Sequence, residues 1–484
     1  MENLVSAITT RNKDLADALK DEASYLLERQ KHTRYALVGK PKKIRRILVH
    51  GAAFVISVDP KEKLKVQSKY SIYIVDGVIK DVFPVNKKRI PESKIDLLYD
   101  AAKRGGVVIT PGFINAHAHP PMYLLRSSMT LDKGNIVDQV KKMAKLEGRM
   151  NETDFFLGAV GDFTEEQKYG ITTTLSHYAV FEPIDQAARV TKQHVINAIS
   201  VASNSHPNNT PEMAAKILRN KKKYYTTPAL AMHYLHRATP DKVKKIKAMM
   251  KQHKLLLTMH SAETEEWVNL CVAKFGKRPI EVLVDLGLAG PRTILSHSVH
   301  VSDAEIKLIK KYKIGIVHLP TSNKIHRSGE FKYKEFVQFG ADKQIALGTD
   351  SVISKNSLDL LSEALQARIM HQHKHRVLYE DLFRMMTSQA AKILNLGKVG
   401  KILPGYRADL AFWKLRDRGF IPYNVNKPLS LVGNMITHGG RNIRDLMIDG
   451  EFVISNRIHN VINESKLLDQ IKQAHVDLRR RLKQ

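Results

Sequence analysis

The sequence holds a single cysteine, Cys271, among 484 residues. That excludes an intrachain disulfide. It also excludes a zinc site built on two or three cysteines, which cytidine-type deaminases need. One thiol suits a reducing compartment. No window approaches about 18 unbroken apolar residues, so no transmembrane helix is expected. The opening stretch, MENLVSAITTRNKDLADALK, lacks the apolar core of a signal peptide, and a cytoplasmic location is the expectation. Acidic residues are scarce: 48 Asp+Glu face 78 Lys+Arg, a net charge of +30. The basic runs lie in separate segments, at KPKKIRR (40–46), Lys221–Lys223, Lys242–Lys254 and Arg479–Lys483. None is interleaved with aromatics, and neither an RNA-binding signature nor zinc-finger spacing is present. Nonspecific adhesion to polyanions is therefore expected, and specific nucleic-acid binding is not.

What is present is enough chain for two or three domains with a large core. Residues 13–31 carry Leu15, Leu19, Ala23 and Leu26-Leu27 at helical spacing. Strand-like runs follow, IRRILVHGAAFVISVD and SIYIVDGVIKDVFPV, the second with an Asp-Gly hairpin turn at its centre. The same character returns far downstream in KVGKILPGYRADLAFWKL and LMIDGEFVISN. Two β-rich pieces at opposite ends suggest one small β domain built from both. The last stretch, ESKLLDQIKQAHVDLRRRLKQ, reads as a basic amphipathic helix.

Between the β pieces lie eight apolar strand candidates, at 107–119, 170–177, 194–200, 227–235, 255–261, 293–300, 314–320 and 345–351. Helical segments separate most of them, for example PDKVKKIKAMMKQHK after the fourth. Such alternation predicts an α/β fold, a (β/α)₈ TIM barrel, joined to a small composite β-sandwich domain. The expected organisation is a helical extension over 1–40, the first part of the β-sandwich over 41–106 and the barrel over 107–395. The second part of the sandwich follows over 396–456 and a basic helix over 457–484.

Active sites of such barrels lie at the C-terminal ends of the strands. The first candidate ends in GFINAHAH, where His117 and His119 share one side of a strand. Alone, that pair fits two ligands of one metal, or two satisfied histidines on a polar face. The other strand ends add His233 on the fourth, His260 followed by Glu263 on the fifth, His297 on the sixth and Asp350 on the eighth. His117, His119, His260 and Asp350 together offer three nitrogens and one oxygen, a set that suits catalytic zinc with a position left for water. Such a metal lowers the pKa of water to about 7. Asp350 can take the water's proton, Glu263 can pass one to a ring nitrogen or leaving amine, and His297 can stabilise developing charge. Glu263 is otherwise a carboxylate near a helix start. His177, His194, His206 and His253 read as structural or surface residues, and His300 and His318 as packing residues. His371, His373 and His375 read as a surface cluster.

These motifs are PGFINAHAHPPMYLLR (111–126), MHSAET (259–264), ILSHSVH (294–300), HLPTSN (318–323) and GTDS (348–351). On them the chain resembles the amidohydrolase superfamily over roughly residues 45–456. It looks closest to the branch holding S-adenosylhomocysteine/adenosine-type deaminases, guanine and cytosine deaminases and triazine chlorohydrolases. The resemblance implies that His117, His119, His260 and Asp350 bind one divalent metal per subunit, usually zinc, with Fe2+ as the alternative. It implies that Glu263 and His297 form the catalytic acid/base pair. The fourth strand ends without lysine, so the carboxylated lysine of binuclear relatives is missing and one metal is implied. His233, in MHYLHRATPD, matches a histidine that meets the purine ring, and Glu147, in KLEGR, a glutamate that holds ribose hydroxyls. Glu147 also reads as a solvated helix residue.

The departures are His236 and Arg237 in place of tyrosine and threonine, Gln139-Val140 in place of Trp-Leu, and Lys355 in place of an asparagine. The third strand end, INAISVASN, lacks an arginine for an amino-acid carboxylate. The expected activity is hydrolytic deamination of an aminated, purine-like heterocycle with release of ammonia. The alternatives are a same-fold hydrolase with another leaving group, chloride or a cyclic amide nitrogen, and an inactive polyanion-binding scaffold. The expected partner is a small heterocyclic molecule, with a homo-oligomer allowed and no membrane partner.

Overall fold

The computed structural model describes residues 12, 13, 15, 17, 34–41, 43–128, 136–201, 209–355, 357–438 and 443–483, with the side chains of 104 and 136–139 excepted. Eight strands form one all-parallel sheet in sequence order. They are β1 (Phe113–Ala118), β2 (Ile171–Tyr178), β3 (His194–Ser200), β4 (Thr227–Tyr234), β5 (Leu257–Ser261), β6 (Thr293–His297), β7 (Gly315–His318) and β8 (Ile345–Leu347). A bridge between Ala118 and Asp350 joins the last strand end to the first, with the Asp350 amide donating to the His117 carbonyl at 3.0 Å. The expected TIM barrel is the observed one. Its strands are covered on both faces, which is why they read as nearly continuous apolar runs. All eight residues of β2 are buried.

The helices between strands follow from caps and periodicity. Pro240–His253 begins at Thr239, whose side chain accepts from the Lys242 amide, and ends where Lys254 turns left-handed. It buries Val243, Ile246 and Met249, three residues apart on one face, and leaves its lysines outward. The expected C-terminal helix is Glu464–Arg481. It lies on helix Glu152–Lys168, and Arg481 pairs with Asp154 at 2.6 Å.

A separate mixed sheet of ten strands combines segments from 35–111 with segments from 410–459. The expected Asp-Gly hairpin is there: Leu64–Val75 pairs with Val78–Pro84 around Asp76 and Gly77, both at positive φ. Tyr35–Leu37, inside the stretch expected as a helical extension, is a strand of this sheet and pairs with Leu97–Asp100. Of the helix expected over 13–31, most lies outside the described residues; Lys13, Leu15 and Asp17 are helical.

The apolar run expected as one strand over 107–119 is two strands in two sheets. Val107–Pro111 pairs with Leu410–Lys414 in the mixed sheet, and Phe113–Ala118 opens the barrel. The chain changes sheets at Gly112, whose amide donates to the Asp409 carbonyl at 2.8 Å. A Cβ there would stand 2.2 Å from the Thr172 hydroxyl oxygen, so glycine leaves the room that the Thr172 side chain fills. This crossing delivers His117 and His119 to the barrel mouth.

Candidate active site

His117 and His119 leave β1 toward the same side, as period-two geometry requires. Their Nε2 atoms stand 3.2 Å apart. Two nitrogens bound at about 2.0–2.1 Å to one tetrahedral ion would stand roughly 3.3 Å apart. Asp350 Oδ1 is 3.3 Å from His119 Nε2 and 3.9 Å from His117 Nε2. Two overlapping donor groups share His117: one with His119 and Asp350, one with His260 and His297, each with ligand atoms within 4.8 Å of one another.

The ring nitrogens facing away from this point are all engaged. His119 Nδ1 donates to the His177 carbonyl at 2.6 Å, and His260 Nδ1 to the His233 carbonyl at 3.3 Å. His117 Nδ1 pairs with Ser296 Oγ at 2.8 Å. A donor bond on Nδ1 leaves the lone pair on Nε2, the arrangement that metal-binding histidines use. Burial holds His117 and His260 well below the usual imidazole range, hence neutral. Asp350 is buried too, but its bond to His119 prevails and keeps it well below the usual carboxylate range. Its Oδ2 accepts from Ser322 Oγ at 2.5 Å. Burial opposes a charged His119, but its bond to Asp350 prevails and raises it above the usual imidazole range. Two neutral imidazoles, a third paired with an ionised carboxylate, and that carboxylate form a donor set that fits a divalent metal.

Backbone strain concentrates around the same point. Ala262, His297, Ser298 and Asp350 all sit at φ between 47° and 69°, a region L-residues rarely adopt. The Asp350 turn is secured across the barrel seam by its amide bond to His117, and the strain is thus held by the closed sheet.

On the open side of the donor cluster, Glu263 and His297 face each other. Glu263 lies between left-handed Ala262 and the helix Glu265–Phe275, whose N-cap is Thr264. It is 3% exposed, so it is not a solvated helix-start carboxylate. Its Oε2 lies 3.5 Å from His297 Nε2 and accepts from the Tyr234 hydroxyl at 3.3 Å. Burial, then the Asp350 charge, pushes Glu263 well above the usual carboxyl range. His297 Nδ1 donates to Asn323 Oδ1 at 2.8 Å.

These groups floor a cavity of about 300 Å³, at the small end of ligand pockets. Its walls include Glu147 and His233, the two residues matched to substrate contacts. Glu147 is half-buried and accepts from the Tyr178 hydroxyl at 2.5 Å; it is not a freely solvated helix residue. The structure thus places every nominated site residue except His117 on the wall of one cavity, and His117, fully buried, reaches the same cluster through its Nε2, 3.2 Å from that of His119.

A model of the amidohydrolase family matches residues 108–453, more than half of the chain. The chain belongs to the amidohydrolase family. It is 29% identical over 417 residues to the 5-methylthioadenosine/S-adenosylhomocysteine deaminase of Pyrococcus abyssi, covering 84% of this chain and 96% of that protein. It is 27% identical over 377 residues to the deaminase of the same name from Carboxydothermus hydrogenoformans, covering 74% and 84%. Among solved structures, an adenosine deaminase from Xanthomonas campestris with bound zinc superposes with a TM-score of 0.80 at 21% identity, covering 91% of this chain and all of that one. Atrazine chlorohydrolase from Arthrobacter aurescens TC1, complexed with zinc, gives 0.79 at 18% identity, covering 89% and 100%.

Several groups around the centre of this amidohydrolase carry no role in the strand-end reading. His177, read as structural or surface, is the penultimate residue of β2 and lines the cavity, its ring 4.6 Å from that of His260. The strand-end rule that singled out His233 applied to it equally. Ser322 and Asn323 lie in the HLPTSN motif, and their partners, Asp350 and His297, come from other strands. His371 corrects the surface reading of its cluster: it is 3% exposed, and its Nε2 lies 3.0 Å from His318 Nε2. It ends helix Leu360–His371, whose inner face turns it under the barrel wall, while His373 stays exposed. His318 is buried there as a packing residue. His206 lies outside the described residues.

Among the departures, Lys355 pairs with Glu363, both nearly inaccessible. Glu363 also accepts from the Thr321 amide at 3.0 Å, beside Ser322, which ties the β8 loop to the segment holding Asp350 and His297. His236 stacks on Tyr234 at 12° and Arg237 lines the cavity. Val140 lines it too and packs with Tyr234 and Trp267.

Proposed function

We propose that this amidohydrolase is a zinc-dependent deaminase that replaces the amino group of a purine- or nucleoside-like heterocycle with oxygen and releases ammonia. The observation that carries the reading is the juxtaposition, at one cavity, of an imidazole and carboxylate donor set with the Glu263–His297 pair. The names of the deaminases it resembles supply the substrate class. His117, His119, His260 and Asp350 would hold one divalent ion, zinc first and Fe2+ second. A catalytic metal of this kind supplies Lewis acidity and an activated water near neutral pH.

The chain's own residues do the rest. Glu263, buried and held protonated, gives its proton to the ring nitrogen beside the carbon under attack, which lets that carbon accept the incoming oxygen. Asp350, ionised and aimed by Ser322, takes one proton from the attacking water and returns it to the departing amine, and the remaining proton on the added oxygen passes back to Glu263 as the carbonyl forms. His297, with Nδ1 committed to Asn323, presents Nε2 toward Glu263 and the reacting centre. His233 faces the heterocycle and Glu147 a hydroxyl-bearing substituent. The balance is substrate amine plus water in, carbonyl product plus ammonia out. A cytoplasmic location belongs to the same proposal and rests on the single, buried thiol Cys271. Among the described residues, no helix is long and apolar enough to cross a membrane.

The test is ammonia release by the zinc-loaded protein from adenosine, methylthioadenosine, adenine, guanine, cytosine, pterins and aminotriazines. Turnover confined to purine nucleosides supports the proposal. Absence of ammonia across the panel, with zinc bound in stoichiometric amount, rejects it.

A further inference from the structure

Arg237 is a cation in the catalytic cavity without an anionic partner among the described residues. It lies at the end of the short turn Leu235–Arg237 that follows β4, and it lines the same cavity as Glu263 and Asp350. The residue is half-buried. Its one hydrogen bond among the described residues runs from Nη1 to His233 Nδ1, at 3.5 Å, and no carboxylate among them pairs with it. The acidic groups of the cavity are already committed: Asp350 to His119 and Ser322, Glu263 to Tyr234 and His297, Glu147 to Tyr178.

The side chain is also held in place. Its Cζ lies 5.4 Å over the Tyr234 ring, and Tyr234 is itself fixed between the stacked rings of His233 and His236, against Trp267. A guanidinium that is partly desolvated, rigidly backed and left without a counter-ion favours an anion brought by the ligand, because its planar donor fork matches phosphate and carboxylate. The position is informative. Arg237 touches His233, which in turn packs 4.9 Å from the metal-site ring of His260. The anion therefore sits beside the heterocycle, two strands round the barrel from Glu147 and Tyr178. The chain's net charge of +30 adds long-range attraction of the same sign.

We infer that Arg237 is a specificity-determining residue that selects substrates carrying an anionic group, phosphate or carboxylate, over their neutral counterparts. This inference rests on the deaminase reading for the identity of the heterocycle, and its test is separable from that reading because it can be run on binding alone. The probes are matched pairs differing in the anion: inosine 5′-monophosphate against inosine for phosphate, and 5′-S-(2-carboxyethyl)-5′-thioadenosine against methylthioadenosine for carboxylate. Binding is measured by calorimetry, the inosine pair on zinc-loaded protein and the adenosine-derived pair on metal-free protein.

In wild type, at least one anionic member should bind ten-fold or more tighter than its neutral partner. That preference should shrink with added salt. Arg237→Gln should reduce it to within about two-fold, and Arg237→Lys should keep part of it. A preference in one pair alone assigns phosphate or carboxylate as the recognised group. No preference in either pair in wild type overturns the inference whatever the variants do. A preference undiminished in Arg237→Gln also overturns it. Failure of the deaminase reading shows separately, as zinc-loaded protein that releases no ammonia from any nucleoside.

Discussion

Glu263 Oε2 stands 3.5 Å from His297 Nε2, and both side chains are almost fully buried. The Tyr234 hydroxyl supports the glutamate and Asn323 supports the histidine, so the pair is oriented from both ends. Such an arrangement suits a proton donor that must meet a substrate atom entering from the cavity side. Glu263→Gln keeps the shape and removes the transferable proton. The variant should retain one metal ion per chain by elemental analysis, while ammonia release falls by about 10²–10⁴-fold. Full activity in that variant would exclude Glu263 as the acid.

The metal itself gives a second prediction. Two imidazole Nε2 atoms at 3.2 Å, with their Nδ1 atoms bonded elsewhere, form a site that gains its ion's binding free energy only when folded. Chelation should abolish turnover and lower the melting temperature, and added zinc should restore both, because a ligand bound only by the native state stabilises it. His117→Ala should lose the ion and show no such zinc-dependent shift in a thermal melt.

Asn323 touches His297 but not the cavity floor, so its removal should act through orientation. Asn323→Ala frees the Nδ1 side of His297. Turnover should drop about 10–100-fold, the usual cost of losing a partner that orients a site residue, with KM and metal content little changed. A drop confined to KM would instead place Asn323 on the substrate.

Most of this site was readable because barrel geometry puts strand ends at one face. His117, His119, His260, Glu263, His297 and Asp350 needed only a strand count and the two-residue period, and all of them meet. The break at Gly112 was not readable in the same way. Both halves of 107–119 are apolar and buried, so the run reads as one strand although its halves belong to different sheets. Ser322 and Asn323 were hidden for a different reason: their partners come from β6 and the turn after β8, and no local pattern encodes a contact between strands. His371 misled because Gln372, His373 and Lys374 beside it are exposed, while the last turn of its helix brings it onto buried His318.

The buried pair Lys355–Glu363 supplies a prediction about stability. Both side chains are nearly inaccessible, and Glu363 also holds the Thr321 amide next to Ser322. Removing one partner leaves an uncompensated buried charge, which costs about 3–5 kcal/mol. Lys355→Met should therefore lower the unfolding free energy obtained from urea titration by that much, and Lys355→Met with Glu363→Leu should recover part of the loss. Because the pair braces the loop that carries Asp350, the single variant should lose activity at temperatures where it remains folded.

His459 ties the chain's far end to the barrel and makes stability depend on pH. Its Nε2–H donates to Gln167 Oε1 at 2.5 Å, and its Nδ1 accepts from the Val461 amide at 3.4 Å, so the two bonds together require the neutral ring. Gln167 is fixed in turn by the Thr191 carbonyl and Gln193. Burial, then the Lys168 charge, pulls His459 down to about 3, against 6.5 when exposed. The folded state therefore binds fewer protons than the unfolded state between those values. The associated stability is complete above pH 6.5, declines as the pH falls, and is gone below about 3. At pH 5 the loss from this residue alone is about 2 kcal/mol. His459→Gln, which keeps a donor and an acceptor but does not titrate, should start less stable at pH 7 and lose less on going to pH 5. Urea unfolding of both proteins at the two pH values measures the difference. Equal losses in the two proteins would show that acid lability arises at other buried groups.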